Sequence, residues 1–200
     1  MVLGEYHKNP SHHQIKAGFA AWFQQRTLIF EMLTEAQAKR AAGVSHADME
    51  ALGTALAWQG SGWPSFEYFF PIFAAAPEAA RFGLAEPLPK HEQIARQASL
   101  IVAHFDALLV EMLLGMVGIQ RLRNGRLAQS ALNCGPVAVI TGNEHAGTGW
   151  GLAAYVLRAD PSVSLYSLGQ TEAEAPLEER FDAIVSSSPV ERNDPCAAFQ

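Results

Sequence analysis

The chain has 200 residues and a formal net charge of −6, with 49% apolar and 17% charged residues. We therefore predict one globular domain over 1–200 and exclude a disordered chain. The acidic balance and the lack of a long basic run exclude nucleic acid as the main partner. The most apolar segment, 108–119, is too short to span a bilayer.

The chain opens with two apolar residues, Val2 and Leu3, which we predict to be the end of a strand. The motif Gly4-x-x-His7 follows directly, and Glu5 is one of its two middle residues. Glycine lets the chain turn off the strand, and a histidine three residues on can point back over the strand's carboxyl edge. Because so little strand precedes the turn, we expect the natural chain to begin upstream, with any export signal there.

A helix and a buried strand follow. Apolar residues at helical spacing predict a helix over 12–25, with Ser11 as its cap. Residues 27–33 then read as a strand of a parallel sheet, with Glu31 inside the apolar run. A buried carboxylate is costly unless it is paired. Glu31 is therefore either salt-bridged to an arginine or a ligand or acid/base group beside the histidines.

The middle of the chain is predicted to be helical and rich in aromatic residues. Helices are expected over 34–42, capped by Thr34, and over 45–57, where Ser45 and Asp48 resemble a capping box. A flexible loop then carries Trp63 into an aromatic segment, 66–73. This segment is either core with a lid or a wall for a flat apolar ligand.

The next part of the chain is mostly one long helix. The predicted elements are a brief strand and loop over 81–89, a helix over 90–97 and a helix over 99–132. Near the end of the long helix stand Arg121, Arg123 and Arg126. Either this face is solvated, or one arginine turns inward to pair with a buried glutamate or a ligand carboxylate.

A second glycine-histidine turn appears late in the chain. The apolar run 137–140 leads into Gly142-x-x-His145. The remaining predicted elements are a helix over 150–158, strands over 162–168 and 181–185, an acidic loop over 171–179 and a loosely packed tail over 191–200. This order predicts an α/β fold, a three-layer α/β/α sandwich with a mostly parallel central sheet. Because ligand crevices form at the carboxyl edge of such sheets, we expect His7, His145 and Glu31 to share one site.

Several stretches together resemble the ChaN-like haem-binding uptake proteins of the Tiki superfamily. The stretches are LGEYHKNP (3–10), FEML (30–33), GWPSF (62–66), PIF (71–73), QRLRN (120–124), GNEHA (142–146) and DPC (194–196). The resemblance implies a haem-binding protein of bacterial haem or iron acquisition. It also implies an exported lipoprotein of the periplasm or outer membrane, and a homodimer that holds two haems face to face with an axial tyrosine.

Residue by residue, the resemblance implies two sets of site residues. The residues expected at haem are Trp63, Arg121 and Asn143, together with one axial tyrosine; that tyrosine does not align clearly with the family, so Tyr6, Tyr68 and Tyr155 are all candidates. Members of the wider superfamily use both Gly-x-x-His motifs and a strand glutamate as a metal-dependent peptidase or esterase-like site. The matching positions for that alternative are His7, Glu31 and His145 as ligands of a divalent ion such as zinc or manganese, with Glu5 or Glu144 as general base.

The chain departs from the family pattern near the second turn. Gly147 and Gly149 stand where an arginine and an aspartate are common, and Asn124 stands where an aspartate is usual. These differences remove charge, which favours haem binding over hydrolysis.

A third, structural interpretation makes the cluster a satisfied hydrogen-bond network. It is the interpretation we adopt for His12, His13, His46, His91 and His104. Cys134 and Cys196 fit either a reduced chain or one disulfide.

Overall fold

A computed structural model describes residues 1–23, 27–77, 79–84 and 110–191. The predicted helix over 90–97, the first part of the long helix, the C-terminal tail and Cys196 lie outside these residues.

The described residues form strands and helices in alternation. The strands are β1 (Val2–Leu3), β2 (Thr27–Thr34), β3 (Ala80–Leu84), β4 (Ala138–Ile140), β5 (Ser167–Glu172) and β6 (Ala183–Ser187). The helices are α1 (Pro10–Phe23), α2 (Glu35–Arg40), α3 (Met49–Ala55), α4 (Phe66–Ala75), α5 (Val110–Cys134), α6 (Asn143–Ala146) and α7 (Leu152–Ala159).

The strands form one parallel sheet in the order β3-β2-β4-β1-β5-β6. The two-residue strand β1 lies inside the sheet, where Val2 pairs with Val139 on one side and Ser167 on the other. Because the strands are parallel, β1, β2 and β4 all end at the same edge. The predicted α/β sandwich with a parallel sheet is confirmed.

The sheet separates two apolar cores, as alternating side chains of a strand require. One face carries Leu3 and Phe30 against α1, α3 and α4, and the rings of Phe30 and Phe73 stack at 4.3 Å. The other face carries Val2 and Ile29 against α5 and α7. Among the described residues, no helix has the length and apolar character needed to cross a membrane.

Two predicted helix starts were wrong. Helix α1 begins at Pro10, and the Asn9 side chain caps it by accepting from the Ser11 amide at 2.9 Å. Proline suits the first helical position because its missing N–H would have no partner there. Helix α3 begins after Asp48, which accepts from the Ala51 amide at 2.9 Å, so the expected cap at Ser45 is not used.

The expected strand over 162–168 was also misplaced. Ser162 instead closes a turn, where its amide donates to Asp160 Oδ1 at 3.0 Å. Strand β5 starts at Ser167 and continues into the segment predicted as an acidic loop, which turns at Ala173 and Glu174 with φ of 46° and 62°.

Candidate functional site

The two glycine-histidine turns and the glutamate of β2 meet at the carboxyl edge of the sheet. His145 Nε2 lies 3.3 Å from Glu31 Oε1, and His7 Nε2 lies 4.0 Å from Glu31 Oε2. The predicted convergence of these three side chains is therefore confirmed as geometry. Their functional roles remain predictions.

Glu31 is buried but well supplied with donors. Its Oε2 accepts from the Thr141 hydroxyl at 2.7 Å and the Gly142 amide at 2.9 Å, and its Oε1 accepts from Arg123 Nη1 at 3.3 Å. Burial alone would raise the pKa of Glu31, but His145, His7 and the Gly142 amide together lower it. Arg123 is thus the inward-turned arginine that the sequence allowed, and Glu31 is an ionised centre of the site.

Glu5 is the second buried carboxylate. Lys16 Nζ lies 2.6 Å from Glu5 Oε2 and also donates to the Thr141 carbonyl at 2.8 Å, and His13 Nδ1 lies 3.0 Å from the same carboxylate oxygen. Burial opposes the charge on Glu5, yet Lys16 and His13 hold its pKa well below the usual value. Burial also lowers the pKa of Lys16, and Glu5 opposes that shift. The site therefore rests on an internal ion pair.

Glu5 fixes the orientation of His7. Their Oε1 and Nδ1 atoms are 2.6 Å apart, and because a carboxylate only accepts, Nδ1 donates. The other nitrogen, Nε2, then faces Glu31 and the backbone of Gly142. A Cβ at position 142 would lie 3.0 Å from His7 Nε2, so glycine permits this close approach.

Asn124 orients His145. The Asn124 amide donates to the Trp150 carbonyl at 2.9 Å, which leaves Oδ1 to accept from His145 Nδ1 at 2.7 Å. When protonated, the His145 ring donates on its other side to Glu31. The asparagine that replaces the family's usual aspartate therefore still serves as the acceptor for this ring.

The solvent side of the site consists of Trp63, Arg123 and His7, which we call the strand-edge opening. The guanidinium carbon of Arg123 lies 5.6 Å from the Trp63 ring centroid, and the His7 ring meets that indole edge-on at 5.0 Å. The side chains of Arg123 and His7 are 34% and 28% exposed, whereas that of Glu31 is 2% exposed. A ligand from solvent can thus reach an aromatic ring, a guanidinium and an imidazole.

The other predicted haem contacts are spread over the fold. Tyr6 stacks on His12 at 5.6 Å and Tyr68 stacks on His13 at 6.1 Å, both half-buried. Tyr155 packs against the core on the opposite face of the sheet. Asn143 contacts strand β5, because its side-chain amide donates to the Gln170 carbonyl at 2.7 Å. Arg121 precedes Arg123 by two residues on α5. Haem contacts at these five residues remain predictions.

Sequence reasoning missed several supporting residues. The sequence predicts a structural role for His13 and no role for Lys16, and both contact Glu5 inside the site. A signal existed, because Lys16 lies three and four residues from His13 and His12 on a helix whose buried face it shares. The structural interpretation does fit His12, which accepts from the Tyr6 amide at 2.9 Å, and His46, whose Nδ1 lies 2.9 Å from the Phe73 carbonyl.

The alternative metal centre is not supported. Within the described ranges, no group of three or more histidine, cysteine or acidic side chains is arranged to hold a metal ion. The physical reason is visible at Glu31, whose two oxygens already face hydroxyl, amide and guanidinium donors. Cys134 is a free thiol in the described part of the chain.

The fold and the site together define a class: an α/β protein with a parallel sheet and a cluster of buried polar side chains where the central strands end. The sequence model of one family, described as "Haem-binding uptake, Tiki superfamily, ChaN", matches residues 1–98. The predicted resemblance to the ChaN-like haem-binding uptake proteins of the Tiki superfamily is therefore confirmed over this part of the chain.

Comparison with solved structures supports the fold through one of the two matches. The chain is similar to a structure of cofacial heme binding to ChaN of Campylobacter jejuni, with a TM-score of 0.63 and 15% identity over 89% of this chain and 83% of that one. The structure of the type III effector HopBA1 matches at a TM-score of 0.42 and 12% identity, over 94% and 86% of the two chains, which is too weak to show a common fold. No curated protein matches significantly in sequence.

Proposed function

We propose that the protein binds haem in bacterial haem or iron acquisition, and that it does so at the strand-edge opening. The family description and the fold shared with a haem-bound ChaN support the class of ligand. The single observation that carries the location is the cluster of Trp63, Arg123 and His7, accessible above an otherwise buried site.

The residues of the opening fit the parts of haem. A flat porphyrin needs an aromatic wall, a cation for its propionates and an axial donor. Trp63 is the wall. Arg123 makes one bond to Glu31 and has further N–H groups for a propionate. Bound haem would supply an iron with axial positions to fill, while these side chains orient it.

The buried network below the opening orients the groups that haem would meet. Glu5 accepts from His7 Nδ1, which turns Nε2 of the ring towards the opening and Glu31. Lys16 neutralises Glu5 from inside, which keeps that carboxylate from repelling a propionate. Tyr6 and Tyr68, which stack on His12 and His13 of α1, flank this network.

Hemin titration of the purified protein tests the proposal. We expect a saturable shift of the Soret band with the native chain and weaker binding with Arg123→Ala. The matched control is Arg158→Ala, an exposed arginine on α7. A titration without a saturable shift, or equal loss in both variants, contradicts the proposal.

The axial ligand is assigned by the same spectra. Phenolate and imidazole ligands give different haem absorption, so single phenylalanine substitutions at Tyr6, Tyr68 and Tyr155 and His7→Ala identify the donor. We expect one of the four to change the ligand-field bands while the others leave them unchanged. If all four variants keep the native spectrum, the axial donor lies elsewhere.

The proposal also covers the oligomeric state and the cellular localisation of the protein. By resemblance, we propose a homodimer with two facing haems and an exported lipoprotein of the bacterial envelope. Light scattering with and without hemin tests the first part, and fractionation of the native host tests the second. Monomers at saturating hemin, or a purely cytoplasmic protein, would exclude the respective part.

A further inference from the structure

A cavity lies beside the strand-edge opening, between α3 and the start of α4. Its volume is about 810 Å³, and its apolar walls are Met49, Trp58, Trp63 and Phe66. That volume is in the range of small-molecule sites, which is about 300–1,000 Å³.

The aromatic walls of the cavity are held in place. Trp58 is 5% exposed, and its indole N–H donates to the Pro64 carbonyl at 2.8 Å. Its ring packs against Phe66 at 5.1 Å between centroids. Phe66 in turn lies over Gly53, where a Cβ would come within 3.1 Å of the ring. The cavity is therefore preformed by packing and needs no rearrangement to present its rings.

The charged residues that line the cavity are both acidic, and a cation, Arg123, lies over Trp63. Glu50 and Glu67, both exposed, lie in the first turns of α3 and α4 and line the cavity. None of its described lining residues is a lysine, arginine or histidine. Carboxylates and aromatic faces attract cations and repel anions. The two propionates of haem would be unfavourable here, so this cavity calls for a ligand of different chemistry.

We propose that this cavity binds an organic cation with an apolar body, such as an aromatic quaternary ammonium or a hydrophobic amine. The cationic head lies between the Glu50 and Glu67 carboxylates and over an aromatic face, and the apolar body lies against Trp58, Phe66 and Met49. This cavity shares Trp63 with the strand-edge opening, but binding of a cation between Glu50 and Glu67 does not depend on the proposed haem function.

Calorimetric titration of the haem-free protein with benzyltrimethylammonium tests the proposal. Phenylacetate serves as the anionic counterpart of similar size. We expect saturable binding of the cation and at least about tenfold weaker binding of the anion, since the aromatic and carboxylate contributions add for the cation alone.

The charge is tested with the double variant Glu50→Gln/Glu67→Gln. It should weaken cation binding by about threefold to tenfold, because exposed carboxylates contribute modestly. The matched control is Glu178→Gln/Glu191→Gln, two exposed glutamates elsewhere, which should bind as the native chain does.

Three results would each overturn the proposal of a cation site. No saturable binding of the cation, equal affinity for phenylacetate, or unchanged affinity in the Glu50/Glu67 variant overturns the proposal. Hemin titration of that variant should remain native-like, so a failure of this site and a failure of the haem proposal are distinguishable.

Discussion

The internal ion pair between Lys16 and Glu5 makes the sharpest prediction about stability. Lys16 has no exposed surface, and its ammonium lies 2.6 Å from Glu5 Oε2 and donates to Thr141. Replacing it in Lys16→Met leaves Glu5 buried without its closest cation. Breaking a buried pair from one side costs about 3–5 kcal/mol. Because His13 and His7 also contact Glu5, we expect the lower end, about 3 kcal/mol at pH 7.

The double variant Lys16→Met/Glu5→Gln supplies the control. It removes both charges, so no uncompensated ion remains, and it should be more stable than Lys16→Met alone. Urea unfolding followed by circular dichroism gives the free energies for the full cycle.

The stability of the fold should depend on pH in a definite direction. The folded-state pKa of Glu5 is lowered, so its ionised form stabilises the fold above the unfolded pKa, and this stability is lost as pH falls. Lys16→Met reduces that lowering, so its deficit should be largest at pH 7 and shrink towards pH 4. A loss below about 1 kcal/mol at pH 7, or simple additivity of the two single variants, would refute the ion-pair argument.

Other predictions follow from the same site. Glu31→Gln should destabilise the fold by about 2–4 kcal/mol at pH 7, since the lowered pKa of Glu31 marks a carboxylate stabilised by its donors. This loss of stability should become smaller in acid, where the native carboxylate is protonated. A loss that does not change with pH in urea unfolding would contradict this. Gly142→Ala should displace His7, because the new Cβ would lie 3.0 Å from Nε2; a histidine NMR spectrum that is unchanged would contradict it. Arg123→Ala should weaken hemin binding by about tenfold, as expected for one charge-assisted hydrogen bond, and native affinity in the Soret titration would remove Arg123 from the site.

The location of the site could be predicted because it depends on local geometry. Two glycine-histidine turns at the ends of parallel strands lie at one edge of the sheet, and Glu31, one residue past the last pairing of β2 with β4, joins them. The identity of the partners could not be predicted in the same way. Arg123 reaches Glu31 from a helix 92 residues away, and no periodicity in the sequence selects it over Arg121.

The errors in helix starts have a related cause. Asn9 and Ser11 are both good capping residues, and so are Ser45 and Asp48. Which member of each pair caps the helix depends on where the chain enters it, and tertiary packing decides that. The separation of the predicted tyrosines has the same origin, because Tyr155 is on α7, whose buried face packs on the opposite side of the sheet from α1.

The position of β1 has a consequence for biosynthesis. Val2 pairs with Val139 and Ser167, which are both synthesised more than 130 residues after it. Such distant pairing is slow and leaves early segments waiting for their neighbours. Until β4 and β5 have been synthesised, Glu5 and His7 therefore lack the neighbouring strands that place them at the edge of the sheet.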